Sequence, residues 1–214
     1  MVSKKKFFEN IEIIIYQILL CIISWYSLLP MIFGSIFFAI QESNIKILIG
    51  TLSYFSIQTN ILIALWLTFS LIYINKDPIS LYPSIFGGLT VYASFTFLVF
   101  LVILQPLQQF IIIDINHYFI PGFFIIYWFY ITPKNKYKKV YALYWLIYPT
   151  LYLVYIFIRG ILTNIFPYPF LDLNLISPFL YFINNFLILG MFYLLGRLFI
   201  FINQKKYNKL EIIE

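Results

Sequence analysis

The chain has 214 residues, 63% of them hydrophobic and 10% charged, with a net charge of +6 and a mean hydropathy of +0.92. This composition excludes a water-soluble globular domain and fits an integral membrane protein. A helix needs about 20 mostly apolar residues to cross roughly 30 Å of hydrocarbon. The apolar runs therefore predict an all-α polytopic membrane protein, a single compact bundle over 1–214 with six transmembrane helices.

The first predicted span is Ile13–Ile40. A basic start precedes it, as in a signal peptide, but the run is too long and no small-residue cleavage site follows, so a retained span is expected. The second is Ile47–Ile74 and the third Pro83–Leu104. The fourth, His117–Thr132, is short unless it begins in the apolar run Phe110–Ile113. The fifth is Val140–Leu162 and the sixth Ser177–Ile202. Short connections leave no room for a soluble domain and predict antiparallel neighbours. Pro30 and Pro149 are expected within spans, whereas Pro83, Pro121 and Pro178 fall in first turns, where proline is tolerated. Tyr and Trp near span ends, Trp25, Tyr26, Tyr73, Tyr82, Tyr118, Tyr141, Tyr144 and Trp145, read as interfacial anchors. No internal repeat supports an inverted-repeat transporter.

An even number of spans puts both termini on one side. All of the 14 basic residues except Lys46 and Arg159 fall on that side, so the positive-inside rule makes the termini cytoplasmic. The charge is then a topological signal and an affinity for anionic head groups. Membrane lipids are the expected partners, nucleic acid is not, and the oligomeric state is left open. Abundant Ile, Phe, Tyr, Lys and Asn fit an AT-rich bacterial genome and a bacterial plasma membrane. Cys21 and His117 are the only residues of their types. No disulfide framework or catalytic zinc site is expected, and no cofactor.

Polar residues inside hydrocarbon normally face the protein interior, where they join helices or do chemistry. The densest such group is Tyr54-Phe55-Ser56-Ile57-Gln58-Thr59-Asn60. In a continuous second helix Ser56 lies about 14 Å from Ile47 at 1.5 Å per residue, near mid-membrane. Ser53, Ser56 and Asn60 then share a face, with Gln58 pointing elsewhere and Thr59 on a flank. His117 begins the fourth span in Asp114-Ile115-Asn116-His117, where a helix would let Asp114 fix the imidazole tautomer. Arg159 ends the fifth span, Asp172 follows in a loop, and Asn184 and Asn185 lie in the sixth. Each has a purely structural alternative. Ser and Thr often bond a carbonyl one turn back, a lone His caps or anchors, Arg snorkels, Asp is solvated and Asn joins helices. A hydroxyl paired with an imidazole is more specific, because the imidazole is the usual base that makes an alcohol nucleophilic. No Gly-x-Ser-x-Gly or His-Glu-x-x-His motif is present.

The 54–60 motif, His117-Tyr118 with Pro121, and Arg159-Gly160 followed by Tyr168-Pro169-Phe170-Leu171-Asp172 resemble the signatures of the bacterial Pr6Pr family of six-span membrane proteins. That family is distantly similar to the androgen-induced and androgen-dependent membrane proteins of animals, hydrolases of fatty acid esters of hydroxy fatty acids that use a threonine and a histidine. The resemblance implies Ser56 as nucleophile, after Tyr54-Phe55, and His117 as its base. Ser56 and Thr59 are exchanged relative to the usual bacterial order, which keeps Thr59 as a second nucleophile candidate.

The expectation is an intramembrane lipid ester hydrolase open to the outer half of the bilayer. Ser56 or Thr59 would attack, His117 would carry the proton with Asp114 as its orienter, and Asn60 or Arg159 would meet the oxyanion. Arg159, Asp172 and Asn184 are the substrate-binding candidates, and no metal ligands are expected. Two alternatives stay open: the substrate-capture subunit of a vitamin-type importer, with Arg159 binding a carboxylate, and a non-catalytic scaffold.

Overall fold

A computed structural model describes residues 3–104, 114–131 and 137–211. The described residues are helical, in the order α1 (Ser3–Gln41), α2 (Lys46–Leu52), α3 (Phe55–Ile72), α4 (Pro78–Leu81), α5 (Pro83–Val99), α6 (Ile120–Tyr130), α7 (Tyr141–Tyr144), α8 (Ile147–Thr163) and α9 (Pro178–Glu211). Among the described residues five segments are long and apolar enough to cross a membrane: Ile11–Gln41, Phe55–Ile72, Pro83–Leu104, Tyr141–Thr163 and Pro178–Lys206. The protein is thus a multi-pass membrane protein. The expected fourth span appears as α6 preceded by a wide π turn, Ile115–Phe119, and is too short to count among those five. Its expected extension into 110–113, its end at Thr132, and the loop 133–136 lie outside the described residues.

Proline sets four of these starts, Pro78 opening the short α4. Pro83 opens α5, Pro121 lies in the first turn of α6 and Pro178 opens α9, where a missing N–H costs nothing. Pro149 differs from its expected mid-span position: the fifth span bends at Trp145 and Leu146, so the proline falls in the first turn of α8. Pro30 is inside continuous α1.

Helix α5 is the centre of the bundle and packs on α3, α6 and α9. Two-thirds of its span (67%) is buried, against 22% for Pro178–Lys206, which leaves most of α9 for lipid. Small residues make this central position possible. A Cβ on Gly87 would come within 2.6 Å of Trp145 Cζ2, and one on Gly88 within 2.9 Å of Trp145 Cδ1. Trp145 is therefore a buried wedge rather than an interfacial anchor, its Nε1 donating to Ser84 O at 2.8 Å. Tyr26 and Tyr144, by contrast, are exposed.

The second span departs most from expectation. It is two helices, α2 and α3, because Tyr54 is extended with φ −72° and ψ 128°. Backbone groups that a break leaves without helical partners must be satisfied elsewhere, and here protein groups do so. Ser53 O accepts from the Tyr152 hydroxyl at 2.9 Å, Leu52 O from Gln58 Nε2 at 2.9 Å, and Phe55 N–H donates to Tyr168 Oη at 3.0 Å. Tyr155 Oη meets Ser53 Oγ at 2.8 Å, and Tyr148 donates to Gln58 Oε1 at 2.8 Å. Tyr148, Tyr152 and Tyr155 recur at helical spacing, so one face of α8 serves the break. Phe55, first residue of α3, packs its ring 5.0 Å from Tyr152, 5.4 Å from Phe192 and 5.6 Å from Phe95, joining α8, α9 and α5.

The loop between α8 and α9 begins at Asn164, left-handed at φ 58°, and lays Phe166 directly on Gly160 of α8. A Cβ there would collide with Phe166 Cε1 and Cζ. Gly160→Val is expected to lower the thermal unfolding midpoint in detergent, by an overpacking cost of about 1–3 kcal/mol.

Candidate functional site

The break puts Ser56 in the first turn of α3, not mid-helix as continuity would have it. There the positive end of the helix dipole favours negative charge, although the Phe55 N–H is already taken by Tyr168. Ser56 is buried and lines a narrow cleft of about 30 Å³. The other walls are Phe95, Thr96 and Val99 of α5, His117, Pro149, Tyr152 and Leu153 of α8, Tyr168, Phe170 and Leu171 of the loop, and Ile188 and Phe192 of α9. The cleft is thus apolar apart from the polar atoms of Ser56, Thr96, His117, Tyr152 and Tyr168 among its described lining.

His117 sits in the π turn Ile115–Phe119, which Asp114 caps by accepting Asn116 N–H on Oδ1 at 2.7 Å. Asp114 Oδ2 lies 2.7 Å from His117 Nδ1. A carboxylate accepts, so Nδ1 carries a proton, and whenever the ring holds only that proton Nε2 is the acceptor. The ring is also held flat on Phe100, with centroids 4.1 Å apart and planes at 13°. Burial pushes the Asp114 carboxyl upward, but the hydrogen bond and charge of His117 and the N–H groups of Asn116 and His117 outweigh it, so it titrates below its ordinary value.

The π turn is fixed to the bundle through Asn116. Its Oδ1 accepts from Ser27 of α1 at 2.8 Å, and its backbone O accepts from Asn60 Nδ2 at 2.8 Å. Asn60 therefore places the segment that carries His117 and does not line the cleft. Thr59 is fully buried, its hydroxyl unpartnered, and it too is absent from the cleft walls. Arg159 is buried at the far end of the α8 face, with Nη1 on Ile165 O at 3.3 Å and Nη2 toward Gly50 of α2, away from the cleft. Asp172 accepts Asn174 N–H at 2.8 Å within its own loop. Asn184 donates to Phe170 O at 2.8 Å and so holds the cleft-lining loop on α9. The eight candidates thus divide: Ser56 and His117 share the cleft, Asp114 stands behind His117, Asn60 and Asn184 hold elements that build it, and Thr59, Arg159 and Asp172 stand apart.

Sequence reasoning missed Thr96, Tyr152 and Tyr168 as cleft residues. Tyr168 lies in the proline-flanked stretch Phe166-Pro167-Tyr168-Pro169-Phe170 and in the motif Tyr168-Pro169-Phe170-Leu171-Asp172, which are the signals available for it. Burial pushes its phenol up to about 12, against the pull of Phe55 and Ser56 at its oxygen, so it is neutral. Among the described residues no group of three His, Cys, Asp or Glu side chains stands close enough to hold a metal ion. No family model, curated protein or solved structure matches the chain.

Two outcomes are expected. Asn60→Leu, which leaves Asn116 without its α3 partner, should lower the thermal midpoint by a cost of about 1–3 kcal/mol. Because Asp114 titrates below its ordinary 3.8 when folded, its stabilising contribution is complete above that value and is lost as pH falls through the lower folded pKa. Asp114→Asn should accordingly remove this part of the acid-side decline when thermal midpoints are measured against pH.

Proposed function

We propose that the chain is an intramembrane hydrolase of lipid esters, with Ser56 as nucleophile and His117, oriented by Asp114, as general base and acid. One observation carries the reading: a serine at a helix N-terminus and a carboxylate-held imidazole line the same apolar cleft. The two side chains are not hydrogen-bonded to each other, a looseness that catalytic pairs often show before substrate binds. In the reaction Ser56 Oγ would attack the ester carbonyl carbon while His117 Nε2 takes its proton. Collapse of the tetrahedral intermediate breaks the ester C–O bond, and His117 returns the proton to the leaving alcohol. Water, activated by the same imidazole, then releases the fatty acid from acyl-Ser56.

The aliphatic and aromatic lining suits an acyl chain. The space, about 30 Å³, matches one water in volume, so the walls must part for a lipid to enter. In this reading α6 with its π turn makes a sixth crossing, of about 24 Å for residues 115–130 at 1.5 Å per residue. Both termini are then cytoplasmic, the membrane is a bacterial plasma membrane, and the cleft opens to the outer half of the bilayer. Membership of the Pr6Pr family, and the remote likeness to the animal hydrolases, belong to the same proposal. An importer subunit would need Arg159 facing an enclosed ligand cavity, and its guanidinium is turned toward Gly50 instead.

A fluorophosphonate probe should label the detergent-solubilised protein, and Ser56→Ala and His117→Ala should each abolish labelling without changing the thermal midpoint by more than a few degrees. Thr59→Ala should label like the parent protein. Labelling that persists in both the Ser56 and His117 variants would defeat the mechanism.

A further inference from the structure

Many hydroxyls inside these helices are bonded to a carbonyl one turn back. Ser24 donates to Leu20 O, Thr68 to Ala64 O, Thr90 to Phe86 O, Ser94 to Thr90 O and Thr163 to Arg159 O, all at 2.7 to 2.9 Å. Thr96, like Thr59 and Ser70, breaks this habit. Its side chain is 95% buried, at 5% exposure, and its Oγ1 has no hydrogen-bond partner. Unlike Thr59, it lines the cleft that holds Ser56 and His117. A buried hydroxyl without a partner is costly, so it marks a place where an acceptor belongs.

The two phenols of the cleft already have partners. The Tyr152 hydroxyl donates to Ser53 O, and Tyr168 Oη accepts the Phe55 N–H and is hydrogen-bonded to the side chains of Ser56 and Tyr152. Asn60 and Arg159, the residues expected to meet an oxyanion, bond Asn116 O and Ile165 O outside it. We propose that Thr96 is the oxyanion donor of this site: its Oγ1–H meets the carbonyl oxygen of the ester and holds it as the C=O π pair moves onto that oxygen during attack by Ser56. This rests on the hydrolase reading and adds a catalytic residue to it. An unspent donor in a dry, apolar space is worth most against charge that develops only in the transition state. It also accounts for a hydroxyl kept where valine would pack equally well.

The test is the second-order rate of fluorophosphonate labelling at Ser56, together with thermal stability. Thr96→Val, which keeps the shape and removes the hydroxyl, should slow labelling about 100-fold while leaving the thermal midpoint equal or higher, because an unpartnered polar atom leaves the interior. Thr96→Ser should restore most of the rate. A structural role predicts the opposite, with stability lost alongside rate. Labelling of Thr96→Val at the parent rate overturns the assignment and leaves the Ser56–His117 reading standing. Failure of the parent protein to label overturns both.

Discussion

The interruption of the second membrane segment at Ser53 and Tyr54 is the constraint on which the rest of the bundle depends. A break leaves N–H and C=O groups without helical partners, so it survives only where other groups satisfy them. Those partners come from Tyr152 on α8, Gln58 on α3 and Tyr168 in the α8–α9 loop. The same contacts that make the break tolerable draw α8 and the loop against α3, and the cleft is the space between them. Ser56 owes its place in a first helical turn to that break alone.

A second fixed point is Asn116, which ties the π turn to α1 and α3 through Ser27 and Asn60. Asp114 caps that turn and also holds the imidazole, so one carboxylate sets both the backbone and the ring. Phe100 stacks on the other side of His117. Backbone capping, side-chain pairing and ring stacking thus act on a single residue, and this suits a group that must present one nitrogen in one direction.

Much of this was legible in the sequence, and the limits have physical causes. Long apolar runs reveal membrane helices because length and hydropathy are local properties, and Asp114 three residues before His117 announces a contact that short-range geometry can make. The polar group 53–60 was visible as an interior feature. The break inside it was not: Ser53-Tyr54 contains neither proline nor glycine, and apart from Gln58 the groups that permit it, Tyr152 and Tyr168, lie 99 and 113 residues away. Trp145 resembled an anchor because it is near a span end, and only the facing Gly87 and Gly88 make it a wedge. Asn60 and Arg159 looked suited to an oxyanion by chemistry, but tertiary contacts claim both. Thr96 had no signal at all, since a threonine in an apolar run is unremarkable until its neighbours are known.

The order of synthesis gives the break a further meaning. Ser53, Phe55, Ser27 and Asn60 leave the ribosome well before their partners, with separations of 99 residues to Tyr152, 113 to Tyr168, 89 from Ser27 to Asn116 and 56 from Asn60 to Asn116. The polar groups of the first half therefore find these partners only after the later helices have been made, and the packing of the first half is completed by residues of the second.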